Sequence, residues 1–188
     1  MTPALIAVLA LAAGVAIGFW LPPHGRRPRE TEPDRLRRIM LPFTGASISR
    51  RAFDAAVRLA RVEHATLMPC YLATVPLNLP LESPLPRQCS TAMPLLEVIE
   101  QRAAAQDVPV DARVYRGRTY RDALRHALAQ EPVDRVIVSA TSNPRAGFSG
   151  EDLVWLLTAA DAEVLILRPA PTDERKVSVN GHAVPGHF

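Results

Sequence analysis

The chain has 188 residues, 48% hydrophobic and 22% charged, with a net charge of +3 and a mean hydropathy of +0.04. That length holds one ordinary domain with extensions, and the composition excludes collagen-like, coiled-coil and wholly disordered chains. Two cysteines, Cys70 and Cys89, exclude a disulfide framework and a Cys-rich metal site, and so small a charge excludes a nucleic-acid binder unless it is gathered in one patch.

Residues 4–21 form an uninterrupted apolar run, ALIAVLALAAGVAIGFWL. As a helix rising ~1.5 Å per residue it would span about 27 Å, close to the ~30 Å hydrocarbon core of a bilayer. A cleaved signal peptide is the rival, but nothing basic precedes the run, and Phe19-Trp20-Leu21-Pro22-Pro23 is a poor cleavage sequence. The sequence therefore predicts an uncleaved single-pass anchor over residues 1–22, with Trp20 at the interface. Arg26, Arg27, Arg29, Arg35, Arg37 and Arg38 follow it and are offset by Glu30, Glu32 and Asp34, leaving +3, the net charge of the whole chain. The positive-inside rule then places the N-terminus outside the cell membrane and the rest in the cytoplasm, with this arginine collar available to lipid headgroups and no nucleic-acid partner implied. Gly14 and Gly18 make a G-x-x-x-G step suited to close packing against another helix.

Residues 23–38, rich in Pro and Arg, read as a linker. The run 39–43 ends at Thr44-Gly45 as a buried strand would. Ser47 or Ser49 can cap a helix to about Val62, with Phe53, Ala56, Val57 and Ala60 on its inner face. Residues 65–74 predict a second strand, against the presence of Pro69. Residues 75–94 are rich in proline and without periodicity, which predicts a long irregular loop, followed by a helix over 95–106. A third strand is predicted over 108–116, and Gly117 then turns the chain into a helix over 119–130, with Tyr120, Ala123, Leu124, Ala127 and Leu128 on one face. Residues 135–139 predict a fourth strand, 153–160 a helix and 164–167 a fifth strand. Residues 170–188 are expected to be a disordered tail.

Short, continuously apolar strands alternating with helices predict an α/β fold, a five-stranded parallel open sheet with helices on both faces, over 39–169. In such sheets a ligand crevice lies beyond the carboxyl ends of the strands, so the loops after Phe43, Tyr71 and Ser139 would carry any chemistry. Thr44, Gly45, Ser139, Thr141, Ser142, Ser149 and Gly150 are the candidate pocket. The bland alternative is that the hydroxyls only cap the loop and its helix. Gly147-Phe148-Ser149-Gly150 narrowly misses the G-x-S-x-G nucleophile elbow, and no Asp and His are placed to serve it. The histidines show no metal-ligand spacing, and Cys70 reads as a small buried hydrophobe. No catalytic residue and no metal site is expected.

These residues resemble the universal stress protein family. Leu41-Pro42-Phe43-Thr44-Gly45-Ala46-Ser47-Ile48-Ser49-Arg50-Arg51-Ala52 is similar to the family's opening strand, which ends in Pro-Val-Asp-Gly-Ser, and its Ser-x-x-Ala helix. Gly117 with Tyr120-Arg121-Asp122-Ala123-Leu124, then Asp134-Arg135-Val136-Ile137-Val138, then Gly150 through Val164-Leu165-Ile166-Leu167-Arg168-Pro169, match later segments in order. The resemblance implies the family's Rossmann-like fold. Its ATP-binding members carry Gly-x-x-Gly, nine residues, then Gly-Ser or Gly-Thr, because backbone N–H groups cradle phosphates only where glycine allows close approach. Here the leading glycines are replaced by Ser139 and Ser142, the spacer before Gly150 is seven residues, the closing hydroxyl is Glu151, and the acidic residue after the first strand is Thr44. ATP binding in the usual mode is not expected, and no cofactor is. The expected function is that of a non-enzymatic, membrane-tethered module serving as an accessory or regulatory subunit of a membrane protein complex. The alternatives are a cytoplasmic-facing sensor of a nucleotide or other small ligand in an altered crevice, and a homodimeric scaffold pairing through its last strand, as family members often do.

Overall fold

The computed structural model describes residues 37–140, 148–168 and 176–177. The expected anchor with Gly14 and Gly18, the collar residues Arg26, Arg27, Arg29 and Arg35, and the pocket residues Thr141 and Ser142 lie outside the described residues. Among the described residues no helix is long and apolar enough to cross a membrane.

Strand β1, Arg38–Phe43, is buried almost throughout. A turn at Gly45, whose φ of 74° suits glycine, leads to β2, Ile48–Ser49. Ser49, one of the two expected caps, then accepts the Ala52 N–H to start α1, Arg50–Glu63. The inner face of α1 is Ala52, Phe53, Ala56, Val57 and Ala60, and His64 ends it in the left-handed conformation (φ 52°). Strand β3, Thr66–Thr74, runs three residues past Tyr71, so the loop beyond it begins at Val75.

The next helix, α2, Pro86–Ala104, departs from expectation, starting at Pro86 inside the segment predicted to be an irregular loop. Pro86 suits the first turn, where its missing N–H would be unpaired anyway. Pro94 is the surprise, because a proline inside a helix costs about 3 kcal/mol. Ala92, Leu95, Leu96, Ile99 and Ala103 are all buried on one face of α2, and each large apolar side chain so buried contributes about 1.5–3 kcal/mol, so the helix continues through the proline.

Strand β4, Arg113–Gly117, is shorter than expected, and Pro69 is the reason. Leu67 N–H donates to the Pro109 carbonyl (2.9 Å) and the Leu67 carbonyl accepts from Asp111 N–H (2.9 Å). In the same register Pro69 would donate to the Asp111 carbonyl, but it has no N–H. The ladder shrinks there to an isolated Leu67–Val110 bridge and resumes at Cys70–Arg113.

Thr119 caps α3, Tyr120–Gln130, accepting the Asp122 N–H at 3.1 Å. Strand β5, Arg135–Ser139, lies where predicted; α4, Gly150–Ala159, starts earlier than the sequence suggested, and β6, Glu163–Leu167, follows it. The expected tail is not wholly without structure, since β7, Lys176–Val177, pairs antiparallel with β2.

All five main strands are parallel, in the order β4-β3-β1-β5-β6. Residues of α1 and α2 form the core on one face, and Met40, Met68, Cys70 and Leu72 meet α3 and α4 on the other. The chain leaves β1 toward β3 and β4, then crosses back to β5 and β6, so the strand order reverses between β1 and β5.

Gly117 sits where a Cβ would lie 2.3 Å from the Ala123 nitrogen and 2.8 Å from the Thr119 carbonyl. Gly117→Ala is therefore expected to destabilise the fold by about 1–3 kcal/mol through backbone overpacking. Gly150→Ala, with nothing within 4 Å, should stay within about 0.5 kcal/mol. Denaturant midpoints of the two variants check this, and equal midpoints would refute it.

Candidate functional site

The reversal between β1 and β5 opens a crevice at the carboxyl ends of those strands. Thr44 and Gly45 follow β1 there, and Ser139 ends β5. Ala140 N–H donates to the Leu167 carbonyl (2.8 Å), and an Ala140–Phe148 bridge brings Ser149 and Gly150 back to the same end of the sheet. The structure thus gathers Thr44, Gly45, Ser139, Ser149 and Gly150 at one end. Gly45 and Gly150 both border open space.

Ser149 has a definite task there. Its Oγ accepts the Asp152 N–H (3.3 Å) and donates to Asp152 Oδ2 (2.6 Å), and its own N–H donates to the same oxygen (2.9 Å). This reciprocal capping box closes the first turn of α4. Asp152 is only 3% exposed, and its carboxylate also accepts from Tyr120 Oη (2.6 Å) and from Arg121 Nε (3.2 Å) and Nη2 (2.7 Å). Burial pushes the Asp152 carboxyl up. The hydrogen bonds from Ser149, Tyr120 and Arg121 outweigh it and carry the group from the ordinary 3.8 down to about 2. Arg121 and Arg125 each lie 5.6 Å from the Trp155 ring, and Tyr120 meets Phe148 edge-on.

The chemical consequence is direct. A helix N-terminus attracts an anion through its unpaired N–H groups and dipole, and at α4 that anion is the chain's own carboxylate, with Glu151 adding a second negative charge in the first turn. The Ser149 hydroxyl is bonded to the Asp152 carboxylate, which Tyr120 and Arg121 hold in turn. Among the described residues no group of three or more His, Cys, Asp or Glu could hold a metal ion.

Asp152 was legible in the sequence: Ser149-x-x-Asp152 is a capping-box spacing. Its meeting with Tyr120 and Arg121, roughly thirty residues earlier, carries no local signal. Cys70 is buried, and burial pushes its thiol up, so it is the inert apolar residue expected. Arg37 and Arg38 differ from the linker and collar reading. Arg38 opens β1; its N–H donates to Asp134 Oδ2 (2.9 Å) and its Nη1 to Glu131 Oε2 (2.8 Å), while Arg37 lies 3.7 Å from Glu63. Carboxylates of the domain hold both at the amino ends of the strands.

No family model matches the sequence, and no curated protein is similar to it. Solved structures are. A universal stress protein family member from Burkholderia pseudomallei superposes with a TM-score of 0.55 at 21% identity, covering 71% of this chain and 96% of that one. The chain has the universal stress protein fold. UspA from Lactobacillus plantarum gives 0.56 at 18% identity, covering 71% and 99%, and a universal stress protein in complex with cAMP gives 0.52 at 19%, covering 72% and 98%. On this universal stress protein fold the N-terminus of α4 is capped by Asp152, which also pairs with Arg121.

The Asp152 carboxyl is depressed in the folded chain, so its contribution is present above pH 3.8 and is lost as pH falls toward about 2. Asp152→Asn is expected to lower stability by about 2 kcal/mol at neutral pH, with the gap to the parent chain narrowing between those two pH values. Unfolding curves across that range check it, and a gap independent of pH would show that the charge is not what Asp152 supplies.

Proposed function

We propose that the chain is a membrane-tethered, non-enzymatic universal stress protein-like module, acting as an accessory or regulatory subunit of a membrane protein complex, with its domain in the cytoplasm. The observation that carries this reading is the Asp152 carboxylate seated at the N-terminus of α4. An anionic ligand entering there would have to displace it against Ser149, Tyr120 and Arg121, and would meet Glu151 besides. A fold that holds neither a nucleotide nor a catalytic group would be used for contact. The apolar run 4–21, the arginines beyond it and the Gly14/Gly18 step support a tether with a packing face.

A second reading is favoured by one surface. Val154 (66% exposed) and Leu157 (55%) on α4, with Leu165 and Ile166 on the edge strand β6, leave an apolar face open. A second copy laid along β6 would extend the sheet and cover it, which makes the module a homodimeric scaffold. A nucleotide sensor is the reading that two structural neighbours, solved in complex with cAMP and with dAMP, would support.

Affinity purification of the full chain from detergent-solubilised membranes is expected to recover it in the membrane fraction with a partner protein. Light scattering reads self-association in the same sample, and recovery as a lone monomer would overturn both readings. No thermal shift is expected with millimolar ATP, AMP or cAMP; a clear shift would replace the proposal with the sensor.

A further inference from the structure

We draw no further inference here: the strongest candidate, the cleft of about 390 Å³ along the outer edge of β4, sets one arginine, Arg116, against one glutamate, Glu82, in its lining, and nothing in the structure shows what covers it.

Discussion

The Asp152 carboxylate joins the starts of two helices that are distant in sequence. It takes the Ser149 N–H and hydroxyl at the start of α4, and the Tyr120 hydroxyl and Arg121 guanidinium from the start of α3. It thereby fixes the two helices that cover one face of the sheet and places Arg121 over Trp155. A buried charge is tolerated only when its hydrogen-bonding capacity is filled, and here the donors include a cation and a helix N-terminus. The same bonds decide what the crevice can do. The positive end of α4 is a natural anion site, and an internal anion with a depressed pKa competes there on better terms than a solvated ligand.

The amino ends of the strands show a different use of charge. Arg135 reaches Glu163 (2.8 Å) and Glu63, Arg38 reaches Glu131, and Tyr115 donates to the other oxygen of Glu131 (2.7 Å). These pairs tie α1, α3 and the neighbouring strands where the chain enters the domain. Exposed pairs contribute little individually, but this set leaves few uncompensated charges at that end. Arg116 and Arg118 belong to the other end, and their guanidiniums hold a loop instead of neutralising an acid.

The alternation of apolar strands with amphipathic helices was enough to predict five main strands and their parallel direction, because buried parallel strands read as short continuous runs. The resemblance in segments such as 41–52 pointed to the fold that the solved structures share. Proline misled twice. The density of prolines over 75–94 suggested a loop, yet Pro86 begins α2 and Pro94 lies inside it, since burial of Leu95, Leu96 and Ile99 outweighs the lost bond. Pro69 acted on a neighbour: β3 kept its length, and the ladder that failed was on β4. Pairings between distant residues, Tyr120 and Arg121 with Asp152 or β2 with β7, have no periodicity to announce them. The crevice residues were legible as a group, but Ser149 turned out to serve the capping box, which is the bland alternative weighed for it.

An open parallel sheet has two free edges, and each invites pairing unless something discourages it. Here the two are treated unequally. β6 is apolar, with Leu165 and Ile166 exposed beside Val154 and Leu157, which suits a partner offering a matching apolar surface. β4 carries arginines and a half-capped backbone, which disfavour a second copy of the same edge because like charges would meet. The two edges thus differ in kind, with exposed apolar side chains at β6 and a backbone partly capped by His126 at β4.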